Sequence, residues 1–307
     1  MLTIEDLRGS PRQRNRERTM RVLFQAAAVT SVAISLLIVF VLVRGTLNYF
    51  AAIDWDFGVL SDTGWFSRRE RYDVRTIFVG SVVMSAVAMV VAVPFGIGTA
   101  IYLAEYAPRR VRNTVKPVIE ILAGIPSVVV GFFVLTFVAP EVVNPIFGLA
   151  GGAKSMLAAG VGIGILVIPI MAAVSEDALS AVPNSLREAS YGCGARKATT
   201  VVRVVLPAAI SGIVAASIIA MSRAIGETMV ATMAAGYDGS GPYNGLSPLN
   251  GGLSMTAAMT NAAGGTDAAK GGAPFEVLFF VGLLLFTITF LLNVVGDRFV
   301  QRVRQKY

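Results

Sequence analysis

The chain has 307 residues, of which 55% are hydrophobic and 15% are charged, and its mean hydropathy is +0.69. The apolar residues form runs of about 20, long enough to cross the ~30 Å hydrocarbon core of a bilayer, which excludes an ordinary soluble domain. The net charge of +7 lies mainly beside these runs, which indicates membrane topology rather than nucleic-acid binding, and the absence of histidine excludes histidine-based acid–base or metal chemistry.

Six apolar runs predict six membrane-spanning helices, so the expected fold class is an all-α membrane protein. The predicted spans are Val22–Val43, Ile77–Leu103, Val118–Ala139, Ser155–Val174, Ala208–Ala235 and Val277–Val295. Together they form a domain, 22–295, between a basic N-terminal segment, 1–21, and a basic tail, 296–307. The first run is longer than the apolar core of a signal peptide and lacks a small-residue cleavage site after it, so we interpret it as a retained helix.

The distribution of positive charge predicts the orientation of the bundle. Lysine and arginine are concentrated in segment 1–21, in the tail, and in the loops that follow the second and fourth spans. The positive-inside rule therefore places both termini in the cytoplasm. The external segment 47–76 holds both tryptophans and suits an aromatic cap at the membrane interface. The external segment 236–274 is rich in Gly, Ser, Asn and Pro, as in a flexible loop, although a partner could also dock there.

Small residues inside the spans predict local features of the helices. Gly124 and Pro126 predict a kink near the start of the third span. Gly160 and Gly164 form a G-x-x-x-G face, which is typical of a close contact between two helices. Glu120 is expected near the cytoplasmic interface, where a structural or capping role is favoured.

The cytoplasmic segment 175–207 is long for a loop and has a helical pattern. A helix start is predicted at Pro183, Gly192 and Gly194 predict a turn, and "ARKATTVVRVVLP" resumes a helical pattern up to Pro207. From spacing alone, this segment is either a compact knob that projects from the membrane or an amphipathic linker on its surface. Cys193, within the predicted turn, is interpreted as a small residue without chemistry of its own.

The same segment resembles the EAA loop of ABC importer permeases. The pattern E-A-S-x-x-x-G-x9-V-x-L-P runs from Glu188 to Pro207, with Ser190 in place of the second alanine and Val204 in place of the usual isoleucine. The resemblance implies a type I, MetI-like permease whose coupling loop docks on an ATP-hydrolysing subunit. The residues that it assigns to this coupling loop are Glu188, Ala189, Gly194, Leu206 and Pro207.

Three stretches further resemble permeases of the phosphate-specific transport (Pst) system: "IEILAGIPSVVVGFFVL", the coupling segment and "SRAIGETM". The continuation "RAIGETMVATMAAG" is more similar to the PstC type than to the PstA type. The resemblance implies a multi-pass subunit of a phosphate importer in the inner (cell) membrane of a bacterium or archaeon. Its implied partners are a homologous PstA-like permease, two copies of a PstB-like ATP-binding subunit and an external PstS-like phosphate-binding protein. It implies no cofactor on this chain, because ATP and Mg²⁺ belong to the ATPase.

Two opposite charges lie within the fifth predicted span. At 1.5 Å per residue from Ala208, Arg223 lies ~23 Å and Glu227 ~29 Å along the helix axis, and the i, i+4 spacing places both on one face. An intramembrane charge costs at least ~2.5 kcal/mol, so each is expected to face the bundle interior and to have a partner.

This pair is either a self-neutralising structural pair or part of the substrate pathway, which the resemblance favours. In the second case Arg223 binds the anion through charge-assisted hydrogen bonds. Glu227 then holds the guanidinium, or accepts a hydrogen bond from the protonated oxyanion.

Enzymatic function is not expected for this chain. The sequence has no zinc-ligand spacing, nucleophile elbow or complete Walker A sequence. One alternative function is import of another oxyanion, such as sulfate or molybdate. Another is a channel or secondary transporter that needs no ATPase, although the absence of inverted internal repeats disfavours it.

Overall fold

Helices dominate the computed structural model, which describes residues 11–61, 64–66, 71–149, 154–236, 246–264 and 273–303, the side chains of 11–15 and 303 excepted. Six helical segments in these ranges are long and apolar enough to cross a membrane: Arg16–Ala52, Val74–Tyr106, Ser127–Phe147, Met156–Ser180, Lys197–Ile225 and Ala273–Arg302. They confirm the multi-pass, all-α architecture. The orientation of the termini stays a prediction.

The described helices differ widely in length. In chain order they are α1 (Pro11–Ala52), α2 (Val74–Ile101), α3 (Arg109–Ala123), α4 (Ser127–Phe133), α5 (Asn144–Phe147), α6 (Met156–Ser180), α7 (Asn184–Gly192), α8 (Lys197–Thr200), α9 (Leu206–Ile225), α10 (Met229–Ala234), α11 (Met255–Ala263) and α12 (Ala273–Val303). Three π-helical segments continue α2, α4 and α8: Tyr102–Tyr106, Val134–Val143 and Val201–Val205. A short antiparallel pair of strands, β1 (Trp65–Phe66) and β2 (Arg71–Tyr72), precedes α2.

Two of the π-helical segments occur beside prolines. Pro140 lies inside the segment Val134–Val143, and Pro207 lies in the first turn of α9, directly after the segment Val201–Val205. A proline lacks the backbone N–H that closes an α-helical turn, and its ring crowds the preceding turn. The wider π turns allow the third and fifth spans to continue past these prolines without ending.

The centre of the bundle is the packing of α2 against α6, and α9 contacts both. A Cβ atom added at Gly160 would lie 2.6 Å from Val87 Cβ, and one added at Gly164 would lie 2.8 Å from Val91 Cβ. Only glycine allows this separation of the two helices, so the close helix contact predicted from the G-x-x-x-G pattern is confirmed. Helix α12 packs on α9 and on α1, and α1 exposes most of its apolar side chains.

The predicted third span, Val118–Ala139, is wrong at both ends. Helix α3 ends at Ala123, and the span begins instead at Ser127 and extends to Phe147. Pro126 has an extended backbone and separates the two helices, so the predicted kink is a complete break. Helix α3 buries none of its residues and carries Glu120 on its exposed surface, outside the span.

The predicted fifth span, Ala208–Ala235, is not one continuous helix. Helix α9 ends at Ile225, α10 begins at Met229, and residues 226–228 between them are non-helical. Gly226 has a low intrinsic helix propensity, which favours an end at this point. The interruption is then fixed by hydrogen bonds of Glu227 that the sequence pattern does not show.

The prediction of a flexible external loop over 236–274 is wrong for the part that forms α11. Met255, Ala257 and Ala258 of this helix are buried, and it packs against α2, α10 and α12. Ser254 caps its first turn by accepting a hydrogen bond from Ala257 N at 3.0 Å. Met255 N donates to Ser81 Oγ of α2 at 2.9 Å. Residues 246–254 of the predicted loop are also described, and Leu253 among them is buried. Residues 237–245 and 265–272 lie outside the described residues.

The aromatic residues of segment 47–76 cluster as the sequence predicts. The ring of Phe50 lies 5.5 Å from that of Trp55, 5.3 Å from that of Phe57 and 5.3 Å from that of Phe280 in α12. Trp65 of β1 is buried. The cluster joins the end of α1 to α12, and its position at the membrane interface stays a prediction.

Candidate functional site

The two charges singled out in the fifth span meet at the break between α9 and α10. Arg223 Nη1 lies 2.9 Å from Glu227 Oε2. The Arg223 side chain is 44% exposed, whereas that of Glu227 is 2% exposed. The pair therefore has one buried member and one member that presents its guanidinium outside the core of this chain.

Both carboxylate oxygens and the backbone carbonyl of Glu227 accept hydrogen bonds from groups of the same chain. Its second carboxylate oxygen, Oε1, accepts a hydrogen bond from Met229 N at 3.2 Å, at the start of α10. Its backbone carbonyl accepts a hydrogen bond from Thr256 Oγ1 of α11 at 2.8 Å. Because both carboxylate oxygens have donors within the chain, burial of the charge is compensated. The arrangement fixes the acid, and among the described contacts Arg223 reaches it through Nη1.

The predicted coupling segment folds as a helix, a turn and a second helix. Gly194 has a φ of +79°, a left-handed conformation that suits glycine, and it forms the turn between α7 and α8. Ser190 Oγ and Thr200 Oγ1 lie 2.9 Å apart and connect the two helices. Glu188 and Ala189 are exposed on α7. The segment is a compact helix–turn–helix, and its projection from the membrane surface stays a prediction. We name residues 184–200 the coupling knob.

Among the remaining residues assigned to the coupling segment, Leu206 is half-buried and Pro207 is exposed at the start of α9. They lie at the start of α9, within the helical segment Lys197–Ile225 that continues from α8 of the coupling knob. Cys193 is free and exposed in the turn. Within the described ranges, no three His, Cys, Asp or Glu side chains are grouped so that they could hold a metal ion.

The sequence interpretation missed a salt bridge between the coupling knob and the end of α2. Arg187 Nη2 lies 2.7 Å from Glu105 Oε1, and the two side chains are 14% and 5% exposed. An acid at the end of an apolar span, next to a basic loop, is the signal that could have drawn attention to Glu105. Its partner is 82 positions away in the chain and could not be identified from spacing.

A second missed cluster surrounds Glu176 at the end of α6. Its carboxylate accepts hydrogen bonds from Arg112 and Lys116 of α3, and from Ser180 one turn further along α6. Lys116 also donates to Asp177 at 2.8 Å. Hydrogen bonds to Asp177 and Glu176 raise the pKa of Lys116 above its usual value, so its ammonium stays charged. The cluster attaches amphipathic α3 to the bundle.

Comparison with known proteins shows that most of the chain matches a single protein family. Residues 92–305 match the family described as "Binding-protein-dependent transport system inner membrane component". The match includes the coupling knob and the Arg223–Glu227 pair.

Three relatives illustrate the range of similarity. The probable ABC transporter permease protein YqgH of Bacillus subtilis is 32% identical over 219 residues, which are 70% of this chain and 70% of the relative. The phosphate transport system permease protein PstC of Mesorhizobium japonicum is 31% identical over 223 residues, with 65% and 68% covered. The PstC protein of Haemophilus influenzae is 29% identical over 297 residues, with 89% and 92% covered.

Solved structures share the architecture. A chain of a bacterial alginate ABC transporter has a TM-score of 0.65 at 15% identity, with 95% of this chain and 98% of that chain covered. A chain of the inward-facing MetNI methionine ABC transporter has a TM-score of 0.58 at 22% identity, with 76% and 96% covered. At these identities the likeness concerns the fold alone, and it confirms the predicted ABC importer permease architecture.

Proposed function

Because the chain belongs to the family of binding-protein-dependent transport system inner membrane components, we propose that it is a permease subunit of an ATP-driven importer of inorganic phosphate. The relatives named as phosphate transport system permeases, at 31% and 29% identity, support phosphate as the substrate. A permease subunit is not itself an enzyme, so ATP hydrolysis, with its bound ATP and Mg²⁺, belongs to a partner. This chain supplies half of the translocation pathway.

The observation that carries the proposal is the exposed guanidinium of Arg223 beside the buried carboxylate of Glu227. Phosphate is a tetrahedral anion, and arginine offers it parallel, charge-assisted hydrogen bonds. The 44% exposure of Arg223 in this chain is consistent with a binding site that a second, homologous permease completes. Arg223 is therefore the proposed anion-contacting residue of the pathway.

Glu227 acts on the substrate indirectly. Its Oε2 faces Arg223 at 2.9 Å and its Oε1 accepts from Met229 N at 3.2 Å. Since both oxygens already have donors, we assign Glu227 the role of holding the guanidinium in place. The alternative in which Glu227 accepts a hydrogen bond from protonated phosphate requires the loss of one of these contacts.

The coupling knob is the proposed docking site for the ATP-binding subunit. Glu188 and Ala189 are exposed on α7, and Gly194 supports the turn that presents this helix. Leu206 and Pro207 lie in the fifth span, Lys197–Ile225, just after α8 of the knob. The complete importer consists of this chain, a PstA-like permease, two PstB-like ATP-binding subunits and an external PstS-like binding protein, in the cell membrane with both termini of this chain in the cytoplasm.

Uptake of radiolabelled phosphate tests the proposal. In cells with this chain as the PstC-type subunit, Arg223→Ala should lower the initial rate by ~10- to 100-fold, because charged hydrogen bonds to the anion are lost. Arg110→Ala, which removes an exposed arginine of α3, serves as the matched control and should keep normal uptake.

Competition and assembly measurements show which results would contradict the proposed phosphate importer. Normal uptake by Arg223→Ala in a correctly assembled complex would exclude a pathway role for this residue. Stronger competition by sulfate or molybdate than by unlabelled phosphate would assign the importer to another oxyanion. Transport by the purified chain alone, driven by an ion gradient, would exclude an ATP-driven importer.

A further inference from the structure

The coupling knob is attached to the bundle by more than its two chain connections. Along the chain it follows α6 and leads into α9. Its side chains also contact the π-helical segment Tyr102–Tyr106 at the end of α2, which is distant in sequence. These lateral contacts connect the knob to α2 as well as to its two neighbours in the chain.

Arg187 makes the central contact. Its Nη2 and Nε atoms lie 2.7 Å and 3.1 Å from Glu105 Oε1. Its guanidinium also donates to the carbonyl oxygen of Leu179, at 2.9 Å, and to that of Val182. One largely buried guanidinium therefore joins α7 to the end of α6 and to the end of α2.

A second contact reaches the same segment from the other side of the knob. Lys197 Nζ, at the start of α8, lies 4.8 Å from the centroid of the Tyr106 ring, within the range of a cation–π interaction. Because Ser190 and Thr200 connect α7 to α8, the knob contacts residues 105 and 106 as one unit.

Arg187 and Glu188 lie on two different sides of α7. Consecutive residues of a helix differ in direction by about 100°. Glu188 is exposed on the side available to a partner, whereas Arg187 is directed inwards and only 14% exposed. A movement imposed on the exposed side of α7 thus reaches Glu105 through the adjacent side chain. Helix α2 packs against both α6 and α9, so it can pass the movement to the centre of the bundle.

We propose that Arg187 is a positioning residue that fixes the coupling knob to the end of α2 through Glu105, so that movement of the ATP-hydrolysing partner is transmitted directly to α2. The proposal rests on the proposed function, because it needs a partner that pushes on α7. It assigns Arg187 and Glu105 to the coupling of transport to ATP hydrolysis. The ATP-binding subunit would bind the exposed side of α7, away from Arg187.

The test uses the complete importer, reconstituted in liposomes with its external phosphate-binding protein, and measures phosphate transported per ATP hydrolysed. Arg187→Gln, Glu105→Gln and the double variant are compared with the unmodified complex. Glu105→Gln leaves the bonds from Arg187 to the two carbonyl groups in place, so it preserves the local fold if Arg187→Gln does not. Arg110→Gln, at an exposed arginine outside the knob, is the matched control.

We expect each single variant to retain the ATP-binding subunit through purification and to transport about ten-fold less phosphate per ATP. The double variant should be no worse than Arg187→Gln, because that change alone already removes the contact with Glu105. The control variant should transport as much phosphate per ATP as the unmodified complex.

Three results would overturn the proposal. The ratio could be unchanged in Glu105→Gln, the effects of the two changes could simply add, or Arg187→Gln could lose the ATP-binding subunit while Glu105→Gln behaves normally. Failure of the proposed function is seen separately, as an unmodified complex that retains no ATP-binding subunit or moves no phosphate.

Discussion

Glu176 is a fully buried carboxylate at the end of an apolar helix. Arg112, Lys116 and Ser180 all donate hydrogen bonds to it, and these donors offset the loss of hydration. The neighbouring acid Asp177 contacts Lys116 but has a side chain that is 70% exposed. Two adjacent acids on one helix therefore differ in how far water can compensate for the loss of a partner.

This difference predicts unequal effects of neutralising the two acids. Glu176→Gln leaves two cations without their buried partner and should lower the free energy of unfolding by ~2 to 3 kcal/mol, below the full buried-pair value because both cations are partly exposed. Asp177→Asn removes an exposed contact and should cost at most ~1 kcal/mol. Thermal unfolding of both variants in detergent measures the difference. Equal shifts in the two variants would contradict this account of Glu176.

At the residue scale, the sequence singles out a charged residue as important only where a charge is unexpected, as inside an apolar run. Arg223 and Glu227 stood out because they interrupt an apolar run. Glu105, Glu176 and Arg187 did not, since charges are common at the ends of spans. Each of them forms a salt bridge with a residue 60 or more positions away in the chain. Neighbouring residues in the sequence give no sign of a pair that is so far apart.

At the scale of elements, the contact between α2 and α6 depends on glycine at particular positions. A Cβ atom at Gly164 would lie 2.9 Å from the carbonyl oxygen of Ala88, a backbone atom that cannot move alone. Gly98, an exposed residue of α2, has no neighbouring atom within 4 Å of the position that a Cβ would take. The two positions therefore allow the same substitution to be compared in crowded and open surroundings.

We expect Gly164→Ala to destabilise the protein by ~1 to 3 kcal/mol, because the helices must separate to admit the methyl group. Gly98→Ala should be neutral or stabilising by up to ~1 kcal/mol, since alanine is the better helix former. Thermal unfolding in detergent compares the two. A smaller cost at Gly164 than at Gly98 would show that α2 and α6 are not closely packed.

The elements that the sequence predicted well are those whose pattern is local. The second and fourth spans and the coupling knob follow from apolar length, helix starts and a glycine turn. The third span was misplaced because the apolar face of α3 continues almost without interruption into α4, past Pro126. Helix α11 was missed because "MTAAMTNAA" lies among Gly- and Asn-rich stretches, while its small residues are suited to close packing against α2 and α12.

At the scale of the whole molecule, the position of the coupling knob relative to the membrane can be tested with a residue already present. The protein has one cysteine, Cys193, and it is exposed in the turn between α7 and α8. If the knob is cytoplasmic, a membrane-impermeant maleimide should label Cys193 in inside-out vesicles and leave intact cells unlabelled. Cys193→Ser provides the background.

Labelling of Cys193 in intact cells would reverse the orientation derived from the positive charges. With the orientation confirmed, the same thiol reports docking. Added ATP-binding subunit should slow its labelling in inside-out vesicles, because α7 and the turn would be covered. An unchanged labelling rate would argue against docking at the coupling knob.

The end of α9 at Ile225 also affects the kinetics expected of the proposed anion site. The last turn of an α-helix carries about half an elementary negative charge, and Arg223 lies in that turn. The carboxylate of Glu227 adds a second negative charge beside the guanidinium. Together they partly cancel the positive field of Arg223, so we expect the residence time of a bound anion to be short. Substrate release would then be fast compared with the turnover of ATP, and the maximal flux would be set by the conformational cycle.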